Sequence, residues 1–276
     1  FSGVFGQDIY LIAREFTSDI SPAEWTYYAY IPIWTWQLLW IFFGIGNDCR
    51  RTKSGRCVSD YDVISNDVFI SYSLANIILT IWMQLLTRKR IIFSSVACMF
   101  VFVLLVVGCA RSCRHIQLHL EDLLKAELGK DVWYVRIVLH NGLACYALLI
   151  CQVMLENTVA SIFYTYDVRD DAVSYASTST LALVVLIMFW LDLLVFDKFM
   201  RYLIAPYFFY LYILTGLFAK NYNIGSNIEV SMFLTCLASC SVLLLFTKIL
   251  MTVRRHNRYP LGNRYTYDVA ETSENE

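Results

Sequence analysis

Seven long apolar runs constrain the fold of this chain more than any other feature of its sequence. A helix of about 20 apolar residues crosses the hydrocarbon core of a bilayer, and each run has that length or nearly so. The chain is 58% hydrophobic and only 16% charged. In a typical soluble domain, about a quarter of the residues are charged. We therefore predict an all-α fold, a polytopic transmembrane helix bundle with lipid as its solvent. The runs cover approximately residues 25–46, 67–86, 91–111, 134–157, 178–197, 200–219 and 228–252.

Short polar connections join the runs, and their lysines and arginines predict how the bundle lies in the membrane. Cytoplasmic loops are enriched in Lys and Arg, so we expect loops 50–56 and 111–130 and the C-terminal tail on the cytoplasmic side. Only the sequence TRKR at 87–90 departs from this rule. The prediction is an integral, multi-pass membrane protein with a cytoplasmic C-terminus, and the sequence does not indicate which membrane holds it.

The apolar runs and their predicted orientation divide the chain into four parts. An acidic lead-in, 1–24, lies outside the cytoplasm and precedes a helix core, 25–164. Three additional transmembrane helices follow in 165–253, and a polar tail occupies 254–276. Between the third and fourth runs, residues 116–133 have approximately helical apolar spacing, which predicts a short helix at the cytoplasmic interface.

Composition also excludes several classes of protein. The net charge of −1 argues against a nucleic-acid partner, which needs a clustered basic face. Six of the nine cysteines fall inside apolar runs, where a thiol acts as a small hydrophobic group. Cys49 and Cys57 share a basic, cytoplasmic loop, where thiols stay reduced. Because no metal-ligand spacing, phosphate loop or nucleophile–base set appears, we expect neither a metal nor an enzyme, and the sequence names no cofactor.

The stretch SPAEWTYYAYIPIWTWQLLW at 21–40 concentrates four of the seven tryptophans. If it is α-helical throughout, Trp25 and Trp36 lie on one face, Trp40 follows one turn later and Trp34 points the opposite way. Pro32 predicts a kink. Such an aromatic stripe is typical of helix packing or of a ligand-binding wall, and the residues alone leave both interpretations open.

This stretch resembles the PAGW-T-F-x-I-W-x-x-I-Y-x-W-Q-x-L-W element of the translocator protein, or tryptophan-rich sensory protein, superfamily, in particular its long animal branch. LHNGLACYALLICQVMLEN at 139–157 is similar to the H-N-G-L-A-x-Y-A element of that branch, and LANIILTIWMQLL resembles its L-x-N-x-x-x-x-x-W helix. The likeness covers about residues 1–160. Departures from the family pattern occur at Glu24, Tyr27, Tyr30, Trp34 and Leu149. The matching positions are Pro22, Ala23, Trp25, Thr26, Ile33, Trp36, Gln37, Leu39, Trp40, Asn76, Trp82, His140, Asn141, Gly142, Leu143, Ala144, Tyr146, Ala147 and Asn157.

The resemblance implies more than the residues show. Short members of the family enclose an aromatic pocket that binds porphyrins and sterols, which implies such a pocket here, lined by Trp25, Trp36 and Trp40. Because Tyr30 and Leu149 replace tryptophans of the family, the identity of the ligand does not carry over. The family also has one helix before this element, so we expect an eighth helix upstream of Phe1.

Polar residues inside the membrane are further candidates, since burying them in lipid is costly. On the fourth run, Asn141, Cys145, Gln152 and Glu156 lie within roughly 60° of one another on a helix and form a polar seam. Glu156 either faces the bundle or reaches the outer headgroups. The ligand-binding candidates are Trp25, Trp36, Gln37, Trp40, Asn76, His140, Asn141, Gln152 and Glu156.

Four polar groups inside the apolar runs also have structural interpretations. Asn76 and Gln37 are candidates for an interhelical hydrogen bond of about 0.6 to 2 kcal/mol. His140 lies off the seam and fits a hydrogen-bonded core residue. Asp192 is expected to form a structural ion pair with Lys198, Arg201 or Lys248, or to extend toward the interface.

Three functions are consistent with these features. The first is a translocator-like protein that binds or moves an apolar, flat, porphyrin- or sterol-like ligand. The second is an auxiliary subunit of a larger membrane complex, with homodimerisation also left open. The third is a seven-helix receptor, although the third run ends in GCARSCRH and the last contains no Asn-Pro-x-x-Tyr element.

Overall fold

The computed structural model describes residues 21–52, 55–166, 171–192, 200–223 and 228–258. These residues form seven long helices, labelled α1 to α7, and within them the only β-type pairing is an isolated bridge between Arg51 and Cys57. α1 starts as a 3-10 helix, Glu24–Ala29, and continues as an α-helix, Tyr30–Cys49. α4 combines an α-helix Gly129–Tyr134, a π-helix Val135–His140 and an α-helix Asn141–Tyr166. The others are α2 Asn66–Thr87, α3 Ile91–Leu118, α5 Asp171–Trp190, α6 Ala205–Asn223 and α7 Ile228–Arg258.

Five of these helices are long and apolar enough to cross a membrane, which makes the chain a multi-pass integral membrane protein. In α5 the apolar part is shorter, Thr178–Trp190. α6 carries four tyrosines, whose hydroxyl groups lower its mean hydropathy. Residues 1–20 of the lead-in, residues 193–199 with Lys198, and the tail from 259 lie outside the described residues. The five spans are Glu24–Cys49, Asn66–Thr87, Ile91–Leu118, Gly129–Tyr164 and Met232–Arg258.

α4 is the central helix of the bundle. In its most apolar stretch 78% of the residues are buried, against 22% in the first and last spans. It packs against α1, α3, α5 and α6. Its sequence is rich in small residues, which is typical of a helix that other membrane helices surround.

The outer faces of α1, α3 and α7 carry large apolar side chains. Phe42, Phe93 and Phe246 are each more than 60% exposed. In water such surfaces would aggregate, whereas in a bilayer they contact the acyl chains of lipids. The exposed faces therefore show which sides of the bundle meet lipid.

The predicted short helix between the third and fourth runs is only partly as expected. α3 extends to Leu118, so that the short helix is limited to Leu120–Lys125, and α4 begins at Gly129. Leu120 and Leu123 face the protein interior. The apolar spacing therefore reflects packing of this connection against the bundle.

Two ion pairs fix the end of the bundle that we predict to be cytoplasmic. Asp192 and Lys248 are both fully buried and lie 2.5 Å apart, which confirms one of the three predicted partners of Asp192. Arg50, just beyond α1, binds Asp131 of α4 through two hydrogen bonds of 2.6 and 3.2 Å. The hydrogen bond to Asp131 raises the pKa of Arg50, so the Arg50 guanidinium group stays charged at neutral pH.

The start of α1 is held against α6 by close backbone contact. The Ala23 amide donates to the Gly216 carbonyl at 3.0 Å, and the Tyr212 hydroxyl donates to the Trp25 carbonyl at 3.2 Å. A Cβ atom at Gly216 would lie 2.0 Å from the Thr26 hydroxyl oxygen. Glycine is therefore needed at 216 for this approach.

We predict that Gly216→Ala destabilises the protein by about 1 to 3 kcal/mol, the cost of forcing a methyl group into a packed contact. Thermal unfolding in mild detergent measures the change. Gly46→Ala is the matched control, since a Cβ atom there meets no atom within 4 Å. Equal unfolding temperatures for the two variants would contradict the close approach of α6 to α1.

Candidate functional site

The candidate site is the antiparallel contact between α1 and α4, here called the α1–α4 seam. The Tyr27 hydroxyl donates to Glu156 Oε2 at 2.8 Å, and Gln37 Nε2 donates to the Gly142 carbonyl at 3.0 Å. Between these bonds, the Trp34 and Tyr146 rings lie 6.0 Å apart. The seam thus spans 14 residues of α4, or about 21 Å at 1.5 Å per residue.

A carboxylate stands at the outer end of the seam. Glu156 is partly buried, and each of its oxygens has a donor: Tyr27 at 2.8 Å and Gln152 Nε2 at 3.0 Å. Gln152 itself is buried. Of the two interpretations of Glu156 from sequence, the structure shows the one in which the side chain faces the bundle. A carboxylate retains further lone pairs beyond these two bonds and can accept a donor from a ligand.

Two tryptophans contact α4 near the middle of the seam. The Trp34 side chain is 39% exposed and faces Tyr146. Trp36 is half-buried and covers Gly142, where a Cβ atom would lie 3.1 Å from the indole ring. The small residue at 142 therefore allows Trp36 to pack closely on the α4 backbone.

Trp40 is buried completely at the inner part of the seam. Its indole N–H donates to Gln37 Oε1 at 2.8 Å, and its ring meets Tyr72 edge-on at 5.0 Å and Phe69 at 5.5 Å. All of its surface and its only polar group are used within the protein. Trp40 is thus a core residue between α1 and α2.

Gln37 and Asn76 do not bond to each other, in contrast to one arrangement expected from sequence. Gln37 bonds to Trp40 and to the α4 backbone. Asn76 donates to the Tyr72 carbonyl in its own helix and accepts from the Tyr146 hydroxyl at 3.5 Å. Each residue therefore links its own helix to α4.

Trp25 lies apart from the other two tryptophans of the predicted stripe. It is 41% exposed, and its ring meets Tyr212 of α6 edge-on at 5.3 Å. Glu24–Ala29 is a 3-10 helix, which turns about 120° per residue instead of about 100°. Over five residues this difference rotates Trp25 by about 100° from its α-helical position. The expected wall of Trp25, Trp36 and Trp40 is therefore not a single face.

His140 and Asn141 lie nearer the inner end of α4, where the protein itself uses their polar atoms. A ring nitrogen of buried His140 lies 3.0 Å from the Ser112 hydroxyl. The Asn141 amide donates to the Arg136 and Tyr202 carbonyls at 2.8 and 3.0 Å. Its oxygen accepts from the Ile204 and Ala205 amides, both at 2.9 Å. Asn141 thus makes four hydrogen bonds within the chain.

The ligand-binding candidates predicted from sequence therefore do not form one site. Gln152 and Glu156 lie at the outer end of the seam, whereas Trp40, His140 and Asn141 use their polar atoms within the protein. Sequence reasoning missed Tyr27, Trp34, Gly142 and Tyr146 as members of the seam. Gly142 and Tyr146 belong to the quoted motif on α4, and their small and aromatic character was the available signal. The position of Tyr27 depends on the 3-10 turn, which the sequence pattern did not predict. Trp34 lies in the α-helical part of α1, and the sequence pattern placed it on the face opposite Trp36.

The described residues hold no group of three or more His, Cys, Asp or Glu side chains suited to a metal ion. All nine cysteines are free, including Cys49 and Cys57. The described seam therefore offers aromatic rings, one carboxylate and amide groups. This set of groups suits binding of an organic molecule.

No protein-family model, curated protein or solved structure matches the chain. The functional proposal therefore draws on the seam geometry and on the quoted motifs.

We predict that Trp40→Ala costs about 3 to 5 kcal/mol of stability, the range for removing a buried aromatic residue. Trp190→Ala is the control, since Trp190 is 55% exposed and an exposed substitution changes stability by about 0.5 kcal/mol or less. Thermal unfolding of both variants in detergent measures the difference. If Trp40→Ala unfolds at the wild-type temperature, Trp40 is not a core residue.

Proposed function

We propose that the protein is a translocator-like membrane protein that binds an apolar, flat ligand at the α1–α4 seam. The observation that carries this proposal is the position of Trp34. The Trp34 side chain is 39% exposed on a lipid-facing helix, its ring faces Tyr146, and its indole N–H has no acceptor among the described residues. A tryptophan that lies deeper in the bilayer than the membrane–water interface normally has a hydrogen-bond partner or lines a binding site.

The polar groups of the seam favour one chemical class of ligand. Glu156 stands ten residues beyond Tyr146 on α4, or about 15 Å along the axis. A flat, rigid ligand stacked near Trp34 and Tyr146 would direct one end toward Glu156 and Tyr27. A carboxylate accepts hydrogen bonds from a hydroxyl group and repels another carboxylate. We therefore favour a sterol-like alcohol over an acidic porphyrin.

The sequence resemblance supports the same proposal from an independent direction. The quoted translocator-like motifs supply Gln37, Trp36, Gly142 and Tyr146, all of which lie at or beside the seam. Tyr27 and Trp34, where the chain departs from those motifs, contact α4 at the same seam. This is consistent with a related site that accepts a different ligand.

We infer further that α5 and α6 also cross the membrane, which gives seven spans with the C-terminus in the cytoplasm. Support comes from the two ends of α6: Ala205 bonds to Asn141 near the inner end of α4, and Gly216 bonds to Ala23 at the outer start of α1. A helix that reaches from one end of the bundle toward the other has the path of a transmembrane span.

We predict that Trp34→Ala weakens binding of radiolabelled cholesterol about tenfold, because the variant loses an aromatic contact of about 1.5 kcal/mol. Saturation binding to the purified chain in mild detergent measures the affinity. Trp190→Ala should bind as the wild type does, since Trp190 is exposed on α5 away from α1. Absence of saturable binding in the wild type, or equal affinity in the two variants, would refute the proposed site.

A further inference from the structure

A second site lies at the opposite end of α4 from Glu156, around Arg136. Arg136 belongs to the π-helical turn of α4, and its side chain is only 7% exposed. The guanidinium group lies 5.5 Å from the centre of the Trp133 ring and 5.3 Å from that of Tyr202. These two rings themselves meet edge-on at 4.7 Å. The Arg136 guanidinium is thus enclosed by aromatic faces.

The hydrogen-bond donors of Arg136 have no acceptor in the described part of the chain. Its guanidinium group makes no hydrogen bond or ion pair with another described residue. Asp131, one turn earlier in the same helix, is bound by Arg50. Asp192, the other buried carboxylate at this end, is bound by Lys248 and by the Tyr207 hydroxyl. Aromatic contacts orient the guanidinium plane, but they leave its five N–H groups without acceptors among the residues that the structure describes.

An anion would also offset the charge of Arg136 itself. A buried charge without a counterion is unfavourable, and no described residue forms an ion pair with the Arg136 guanidinium group. An anion bound at Arg136 would therefore stabilise the fold.

The position of Arg136 indicates where the anion comes from. It lies seven residues after the first residue of α4, Gly129, which is about 10 Å along the helix. Trp133, one turn nearer the end, is 39% exposed, as expected for an aromatic residue at the membrane–water interface. Phosphate groups of lipids occupy this depth, and the planar guanidinium fork matches two phosphate oxygens.

We propose that Arg136 binds the phosphate group of an anionic phospholipid from the inner leaflet, between α4, the 200–204 turn and α7. This site is separate from the α1–α4 seam and does not depend on the proposed ligand there. Basic pockets between helices on the cytoplasmic side bind anionic headgroups. His256, which bonds to the Tyr202 hydroxyl at 2.7 Å, places the end of α7 beside the same rings.

The test uses the full chain, delipidated in a maltoside detergent, with phosphatidylglycerol or inorganic phosphate added. Native mass spectrometry measures bound lipid, and thermal unfolding measures stabilisation. We expect phosphatidylglycerol to bind and to raise the unfolding temperature, with affinity about tenfold lower in Arg136→Gln. The control is Arg114→Gln, which removes the same charge from an exposed position on the same side and should bind like the wild type.

The remaining outcomes separate the two sources of phosphate. Equal stabilisation of the wild type by inorganic phosphate, lost in Arg136→Gln, would confirm the phosphate site and assign it to a soluble anion. If Arg136→Gln fails to fold, Arg136→Lys takes its place in the test. Lysine keeps the positive charge but lacks the planar guanidinium group, so this variant should bind phosphatidylglycerol several-fold more weakly. Wild-type protein that gains no stability from either anion, or Arg136→Gln that retains full lipid binding, would overturn the proposal.

Discussion

The four hydrogen bonds of Asn141 hold the start of α6 on the central helix α4. One of them lies within α4, and the other three go to residues 202, 204 and 205. Residues 201–204, just before α6, are not helical, and their backbone groups need hydrogen-bond partners where the protein buries them. Asn141 supplies acceptors for Ile204 and Ala205 and donors for Tyr202 and Arg136. A single amide thus fixes the start of α6 on the central helix.

The hydrogen bonds of Asn141 also determine which residues lie beside α4 toward its inner and its outer end. Toward the inner end, the 200–204 turn brings Tyr202 over Arg136, beside the buried pair of Asp192 and Lys248. Toward the outer end, α6 approaches the start of α1 closely enough to need glycine at 216. α1 is thereby held with Tyr27 at Glu156 and Trp34 at Tyr146. Buried ionisable groups are costly in a membrane, and α4 holds such groups toward both of its ends.

Helical periodicity and hydropathy predicted much of this arrangement. Each of the seven apolar runs lies on a helix where it is described, except at residues 201–204 of the sixth run. The reason is that an apolar segment in lipid must satisfy its own backbone. Pairing of Asp192 with a basic residue followed from the cost of an isolated charge. The stripe of three tryptophans failed at Trp25, since a 3-10 turn changes the angle per residue. Which helix faces which also escaped prediction: Gln37 meets Gly142, 105 residues away, and that choice depends on packing of the whole bundle.

The most direct test of the account is whether Trp34 faces α4 in the membrane. A photo-cross-linking amino acid placed at position 34 in membrane-embedded protein, followed by peptide mass spectrometry, locates its neighbour. From position 34 we expect adducts on the α4 peptide that contains Tyr146. The same probe placed at Phe42, which is 66% exposed, should give adducts with lipid alone. Cross-links from position 34 to lipid alone, or to a helix other than α4, would contradict the seam and the binding site proposed on it.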